Sequence, residues 1–425
     1  MARKAKTKAK AAEPSCRAFV ACHQVSEGPS EGPSDHGPVP GHPEGAKRVR
    51  SCGERLRSNK SLWSLLKKLP PRRATDSELQ LVHDESHIAG LAKLASLAAK
   101  SGKPQFVPHG PVCMNGPRQE VRVDEDVSSD DTYVTAGSLE AARHATGGVL
   151  QGIDEMLSDE GLQHGLVLCR PPGHHASRAR SSGFCLVNNV AIAAQYALQH
   201  GDIQRVLIFD WDVHHGQGSQ QIFDQSDDVL FVSFHRHDGH AFYPASGSPF
   251  EAGSGRGKGF TVNVALPEGF GDLALWSACA QVLVPAVRSF KPDLVLVSAG
   301  FDAAEGDPLG GCSVTPQFFG LLTQEIVKLA AESARGRVLL VLEGGYNVDV
   351  LAECVEDVMV ALVEEVDSGT PFSAAPDWLT GKSCQGPIRK TCEVHKGPPL
   401  RLPMPLSKSE RKRSESMEAK TSTVS

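Results

Sequence analysis

What this chain lacks narrows it first. Its eleven cysteines include no Cys-x-x-Cys pair and no small-domain spacing. That sets aside a structural zinc finger or a disulfide framework and fits reduced thiols in a nuclear or cytosolic compartment. No uninterrupted apolar stretch is read as long enough to span a membrane, and no apolar core of the secretory kind stands near the N-terminus. There is no internal repeat. There is no excess of positive charge either: the formal net charge of -6 argues against a dedicated nucleic-acid binder, although local basic segments exist. With 425 residues, 40% hydrophobic and 22% charged, the chain reads as globular, with room for one large domain or two to three average ones.

Composition divides the chain into three. Residues 1–34 hold Arg3, Lys4, Lys6, Lys8 and Lys10 among alanines and run into a Gly/Pro/Ser-rich stretch, which predicts a basic, irregular arm. Such an arm suits a nuclear address, a lysine-heavy organelle presequence or a solvated tail. Residues 371–425 are rich in Pro, Ser, Lys and Arg, with Lys408 and Arg411-Lys412-Arg413 compatible with nuclear import, and read as a second irregular basic tail. The expected compartment is the nucleus, the cytoplasm or both, with organelle targeting open. Between the tails, residues 35–370 alternate short apolar runs with helical stretches. Candidate strands are 165–169, 206–210, 229–234, 293–298 and 337–342, and candidate helices include 189–200 and 273–290. Continuous apolar strands separated by helices predict a single-domain, three-layer α/β fold, with a mostly parallel central sheet and helices on both faces.

Chemistry collects where the candidate strands end. The run Val206-Leu207-Ile208-Phe209 leads into Asp210-Trp211-Asp212-Val213-His214-His215-Gly216. In extended backbone, alternate residues share a side, so Asp210, Asp212 and His214 can converge. Buried together, they need a cation or a reaction to justify them. Three other strands run into Arg170-Pro171-Pro172-Gly173-His174-His175, Ala299-Gly300-Phe301-Asp302 and Glu343-Gly344-Gly345-Tyr346. Taken singly, each is more often a turn, a helix cap or a satisfied pair than a site. Four at one end of one sheet point to a shared pocket, because open α/β sheets bind ligands beyond their carboxyl ends.

These segments resemble the histone deacetylase family, nearest its class II branch, with the arginase/deacetylase fold. The likeness covers residues 35–365. It is carried by His42-Pro43-Glu44, Asp131-Thr132-Tyr133, Ala141-Ala142-Arg143, Arg170 to Ala176, Gly183-Phe184-Cys185-Leu186-Val187-Asn188-Asn189, residues 210–216, Gly259-Phe260-Thr261-Val262-Asn263-Val264, residues 299–311 and residues 343–347. The resemblance implies that Asp212, His214 and Asp302 hold one divalent ion per subunit, normally Zn2+. Three ligands leave room for water and substrate, and the oxygen-rich set also allows Fe2+. A dinuclear manganese site is set aside, because no second carboxylate follows the histidine. The same resemblance makes His175 the general base and then the acid, and His174 its electrostatic partner oriented by Asp210. It makes Tyr346 the donor to the developing oxyanion. Gln217 stands where class I members carry an aspartate and class II members an amide, usually asparagine.

On the substrate side, the resemblance puts Gly183 and Phe184 on one wall of a narrow tunnel. Phe242 or Tyr243 forms the other, Phe242 being the better match. Gly345 lies beside the substrate, and Asp130 or Asp131 at the rim accepts peptide N–H groups. Leu309 stands where the polyamine-preferring subtype has a glutamate. A structural K+ is expected on carbonyls around Asp210, Asp212 and His214, with the side chain of Ser233 and the carbonyl of Phe234. The implied function is a zinc-dependent deacetylase acting on the lysine ε-amine of histones or cytoplasmic proteins. A corepressor complex is an expected partner, with no sequence-specific nucleic-acid binding and no membrane. The alternatives are an acetylpolyamine amidohydrolase and a weakly active acetyl-lysine-binding scaffold.

Overall fold

The computed structural model describes residues 17–22, 36–37, 39–70, 72–107, 132–239, 241–365, 369–379 and 381–405. Among the described residues there are ten strands: β1 (Ala18–Cys22), β2 (Leu66–Leu69), β3 (Gln105–Phe106), β4 (Tyr133–Val134), β5 (His164–Leu168), β6 (Val206–Asp210), β7 (Val229–Arg236), β8 (Thr261–Leu266), β9 (Leu294–Ala299) and β10 (Val338–Leu342). Eight of them form one sheet in the order β2-β1-β5-β10-β9-β6-β7-β8, while β3 and β4 make a separate antiparallel ribbon. Every neighbouring pair in the large sheet is parallel.

The strand sequences explain why both faces are covered. Along β6, Leu207 and Phe209 enter one apolar core, while Val206 and Ile208 enter the other. The period-2 pleat sends alternate residues to opposite faces, so a strand that is apolar throughout needs helices on both sides. One layer includes the helices Lys47–Ser58, Pro316–Ala331 and Val348–Val363; the other includes Glu85–Ser101, Ser138–Leu157 and Asn189–Ala197. The five strands expected from the sequence are all present, 206–210 with the expected bounds and the other four with ends moved by one or two residues.

Three expectations need correction. The first concerns residues 1–34. Ala18–Cys22 is not irregular but a strand paired to both β2 and β5, its first four residues buried. A five-residue apolar run was averaged away by the polar residues around it, and a strand with few residues gains its stability only from its neighbours. The second concerns residues 371–425. Residues 385–394 form the helix Gln385–Val394, and Phe372, Ile388, Cys392, Leu400 and Leu402 are buried. Thr391 Oγ1 donates to Asn263 O at 2.7 Å, so this segment lies over the edge strand β8 and shields its apolar face. The lysines of residues 1–10, Lys408 and Arg411-Lys412-Arg413 lie outside the described residues. The third concerns apolar length. Asp272–Phe290 is long and apolar enough to cross a membrane, and it is instead a mostly buried core helix with a π turn at Cys279–Leu283.

Parallel register sets up the site. Asp210 lies opposite Ser233 on β7 and Ser298 on β9, and Leu342 lies opposite Ala299. The loops after β5, β10, β9 and β6, four adjacent strands, therefore leave the sheet at one edge.

Candidate active site

Asp212, His214 and Asp302 meet just beyond that edge, all buried or nearly so. His214 Nδ1 lies 3.1 Å from Asp212 Oδ1 and 3.0 Å from Asp302 Oδ2. Bonds of about 2.1 Å to one divalent ion hold tetrahedral ligand atoms a little over 3 Å apart, so the set fits such an ion. The remaining lone pairs are anchored by the backbone. Val213 N donates to Asp302 Oδ1 at 2.9 Å, His214 N to Asp212 Oδ1 at 2.9 Å and Gly344 N to Asp212 Oδ2 at 2.9 Å. Glycine is required twice here, because a Cβ on Gly300 or Gly344 would collide with the Asp212 or Asp302 carboxylates. Burial opposes protonation of His214, yet the two carboxylates raise it to about 9. The cluster thus calls for positive charge.

The two histidines of the Arg170–Pro171 loop face this cluster in different states. His174 Nδ1 donates to Asp210 Oδ2 at 2.9 Å; burial opposes its protonation, but the charges of Asp210 and Asp212 outweigh it and hold the imidazole well above its ordinary range. His175 is pushed well below by burial and by the neighbouring His174 and His214. Its ring lies 3.9 Å from that of His174. His175 Nδ1 is 2.6 Å from Gln217 Oε1, an oxygen that only accepts, so Nδ1 carries the proton and Nε2 keeps a lone pair. The amide nitrogen of Gln217 donates to Ser182 Oγ at 3.1 Å, and Tyr243 Oη donates to the same oxygen at 3.2 Å. Gln217 therefore hydrogen-bonds His175 on one side and leads into a chain of hydroxyls on the other.

The Gly344-Gly345-Tyr346 loop completes the arrangement. Tyr346 is half-buried, and burial raises its phenol well above the ordinary value. Its ring meets Phe184 edge-on at 5.8 Å. Phe184 N donates to Thr132 Oγ1 at 3.0 Å. Both candidate rings for the opposite wall are present. Phe242 stacks on the His214 imidazole at 4.9 Å with the Arg236 guanidinium 4.3 Å from its centroid, and Tyr243 meets His175 edge-on at 5.0 Å. Leu309 is partly exposed, at 37%. Asp131 and Asp130 lie outside the described residues. Ser233 is buried beside Asp210, its hydroxyl 2.8 Å from His235 Nδ1.

Four contributors had not been singled out. Buried Arg48 donates from Nε to Gly345 O at 2.6 Å and from Nη2 to Glu343 O, and its guanidinium lies 5.0 Å from the Tyr346 ring centroid. In sequence it is one basic residue in a basic helix, indistinguishable from a solvated one. Glu343 accepts from Gly173 N at 2.6 Å and His174 N at 3.1 Å, and burial pushes it up to about 7. Glu44 forms a forked pair with Arg170, both bonds 2.8 Å. Glu343 and Glu44 stood inside the resembling motifs without a role. Asp307 is the fourth.

The carboxyl edge of a parallel α/β sheet thus brings together an Asp-His-Asp set that could hold a metal ion, two histidines shifted in opposite directions and a tyrosine on a glycine hinge. The histone deacetylase domain model matches residues 42–362, and the chain belongs to the histone deacetylase family. It is 37% identical over 364 residues to histone deacetylase 6 of Caenorhabditis elegans, covering 83% of this chain and 36% of that protein. It is 41% identical over 330 residues to histone deacetylase 7 of Homo sapiens, covering 76% and 34% respectively. Such curated relatives are two to three times as long as the part matched. The crystal structure of the HDA15 HD domain superposes with a TM-score of 0.73 at 31% identity, over 89% of this chain and 95% of that one.

Proposed function

We propose that the chain is a zinc-dependent protein lysine deacetylase of class II type. The observation that carries this reading is the convergence of Asp212, His214 and Asp302 on one point, with the neutral Nε2 of His175 and the Tyr346 ring on the same side of the sheet. Asp212, His214 and Asp302 would hold the ion. When bound, zinc supplies Lewis acidity for the acyl carbonyl and the attacking water. His175 takes the proton of that water at Nε2 and returns it to the departing lysine amine. Gln217 keeps the opposite ring nitrogen protonated, so the lone pair stays on the reacting side. Positively charged His174, held by Asp210, adds a fixed charge where the oxyanion develops, and Tyr346 donates its hydroxyl to it.

Phe184 forms one tunnel wall in this reading; for the other, Tyr243 is proposed in place of Phe242, because Phe242 stacks on His214 beside the Arg236 guanidinium while Tyr243 meets His175 edge-on, and Gly183 and Gly345 give the chain its close approach. Neutral Leu309 at the rim favours a peptide-borne acyl-lysine over a polyamine. A K+ ion beside Asp210, held also by Asp212, His214, Ser233 and Phe234, would offset part of the carboxylate charge. Acetylated histones or cytoplasmic proteins are the proposed substrates, in the nucleus, the cytoplasm or both, with a corepressor assembly as the proposed partner.

The test is hydrolysis of a panel of acyl-lysine peptides and acetylspermidine, before and after zinc chelation. Tyr346→Phe should lower kcat on acetyl-lysine by roughly 100- to 1,000-fold. Activity indifferent to chelation, or to Tyr346→Phe, would overturn the reading, and a preference for acetylspermidine would favour the polyamine alternative.

A further inference from the structure

A carboxylate outside the metal cluster joins two loops of the site. Asp307, in the turn Gly306-Asp307-Pro308-Leu309-Gly310, is buried at 9% exposure. Its Oδ1 accepts from Leu309 N at 2.8 Å and Gly310 N at 3.2 Å. Its Oδ2 accepts from Tyr346 N at 2.6 Å and Asn347 N at 3.3 Å. Asn347 Nδ2 adds a bond to Gly306 O at 3.0 Å. On its other side the turn is held by Arg236 Nη1, which donates to Gly310 O at 3.1 Å.

Tyr346 needs such a restraint. It follows two glycines, the second at φ +119°, a hinge with wide conformational freedom. Arg48 grips the carbonyls on the near side of that hinge, at Glu343 and Gly345. Asp307 grips the amides on its far side. A carboxylate suits this place because it only accepts: its two oxygens take four N–H groups at once, and bonds to a charged acceptor are about twice as strong as neutral ones. An asparagine would turn an NH2 toward one of the two N–H pairs and release it.

We infer that Asp307 is a positioning residue: it sets the placement of Tyr346 and couples it to the Leu309 turn at the tunnel rim. The inference rests on the reading of Tyr346 as the oxyanion donor. It is tested in the zinc-loaded 425-residue chain with Asp307→Asn, Tyr346→Phe and the double variant, assayed on an acetyl-lysine peptide. Asp307→Asn should lower kcat by about 10- to 100-fold, less than loss of the hydroxyl itself, with KM little changed. In the Tyr346→Phe background it should lower kcat no further, because the hydroxyl it positions is gone. A purely structural role would reduce the folded fraction and cost the same factor in both backgrounds. Equal losses in the two backgrounds, or a wild-type kcat for Asp307→Asn, would overturn the inference. A second measurement uses the unaltered protein and so survives a variant that does not fold. The Tyr346 and Asn347 amides, in a loop, should exchange with solvent as slowly as those of β10, and rapid exchange would refute the clamp. If Tyr346→Phe keeps a wild-type rate while both amides exchange slowly, the clamp stands and the catalytic reading has failed, so the two failures are told apart.

Discussion

In the proposed zinc site, Gly344→Ala should weaken metal binding while leaving Asp212, His214 and Asp302 in the sequence. A Cβ at this position would fall within 3.0 Å of both Asp302 Oδ2 and Asp212 Oδ2, closer than real Cβ contacts come. The backbone cannot retreat easily: Gly344 O accepts from Phe301 N at 3.1 Å, Gly344 N donates to Asp212, and Arg48 holds the carbonyls on either side. The carboxylates must therefore move. Overpacking of this kind costs about 1–3 kcal/mol of stability. Disturbing the groups that orient ligands typically costs about 10- to 100-fold in metal affinity, and here the ligands themselves shift, so the loss should be at least that large. Zinc retained after dialysis against a graded chelator series reads the affinity, and the return of deacetylation with excess zinc shows that the defect lies in holding the ion. Gly386→Ala, whose added Cβ would meet nothing within 4 Å, is the control for folding. Wild-type zinc affinity in Gly344→Ala would mean that the loop gives way, and the reasoning about a tightly fitted cradle would be wrong.

Acid should destabilise the fold well before carboxylates titrate. Burial holds His36 and His235 down to about 3, and burial with the charge of His87 does the same to His83. Their folded-state values are depressed below 6.5, so the unfolded chain binds protons that the native state refuses; stability rises with pH and falls below about 6.5 at roughly 1.4 kcal/mol per unit for each group. Summed over these three, unfolding free energy from urea titration should drop by about 4 kcal/mol between pH 7 and 5.5, and a pH-independent midpoint would refute it. Glu44, whose burial is outweighed by Arg170 to leave it at about 2, acts in the same direction at lower pH, its contribution fading between 4.5 and 2. Ile388→Ala, at a fully buried position in the helix Gln385–Val394, should cost about 2–5 kcal/mol in the same titration; a loss near zero would show that this segment does not belong to the folded core.

Local pattern made the architecture legible. Continuous apolar runs such as 206–209 and 294–297 can be satisfied only by a sheet buried on both faces, and the polar residues that follow them could be assigned to its carboxyl edge. Alternation along 206–214 let Asp210, Asp212 and His214 share a side, although β6 itself ends at Asp210, and Tyr346 followed its glycines as motif. What local pattern could not carry was anything whose stability is borrowed from afar. Ala18–Cys22 is a strand because β2 and β5 flank it, and residues 385–394 are ordered because β8 exposes an apolar edge there. The division of labour within the site is equally non-local. Asp302 joins His214 across 88 residues, Arg48 reaches Gly345 across 297, and Asp307 reaches Tyr346 across 39. Residue type and spacing determined which side chains could do chemistry here. Strand order and register decided which of them meet, because hydrogen bonds of about 3 Å between distant segments exist only after the sheet has placed both ends.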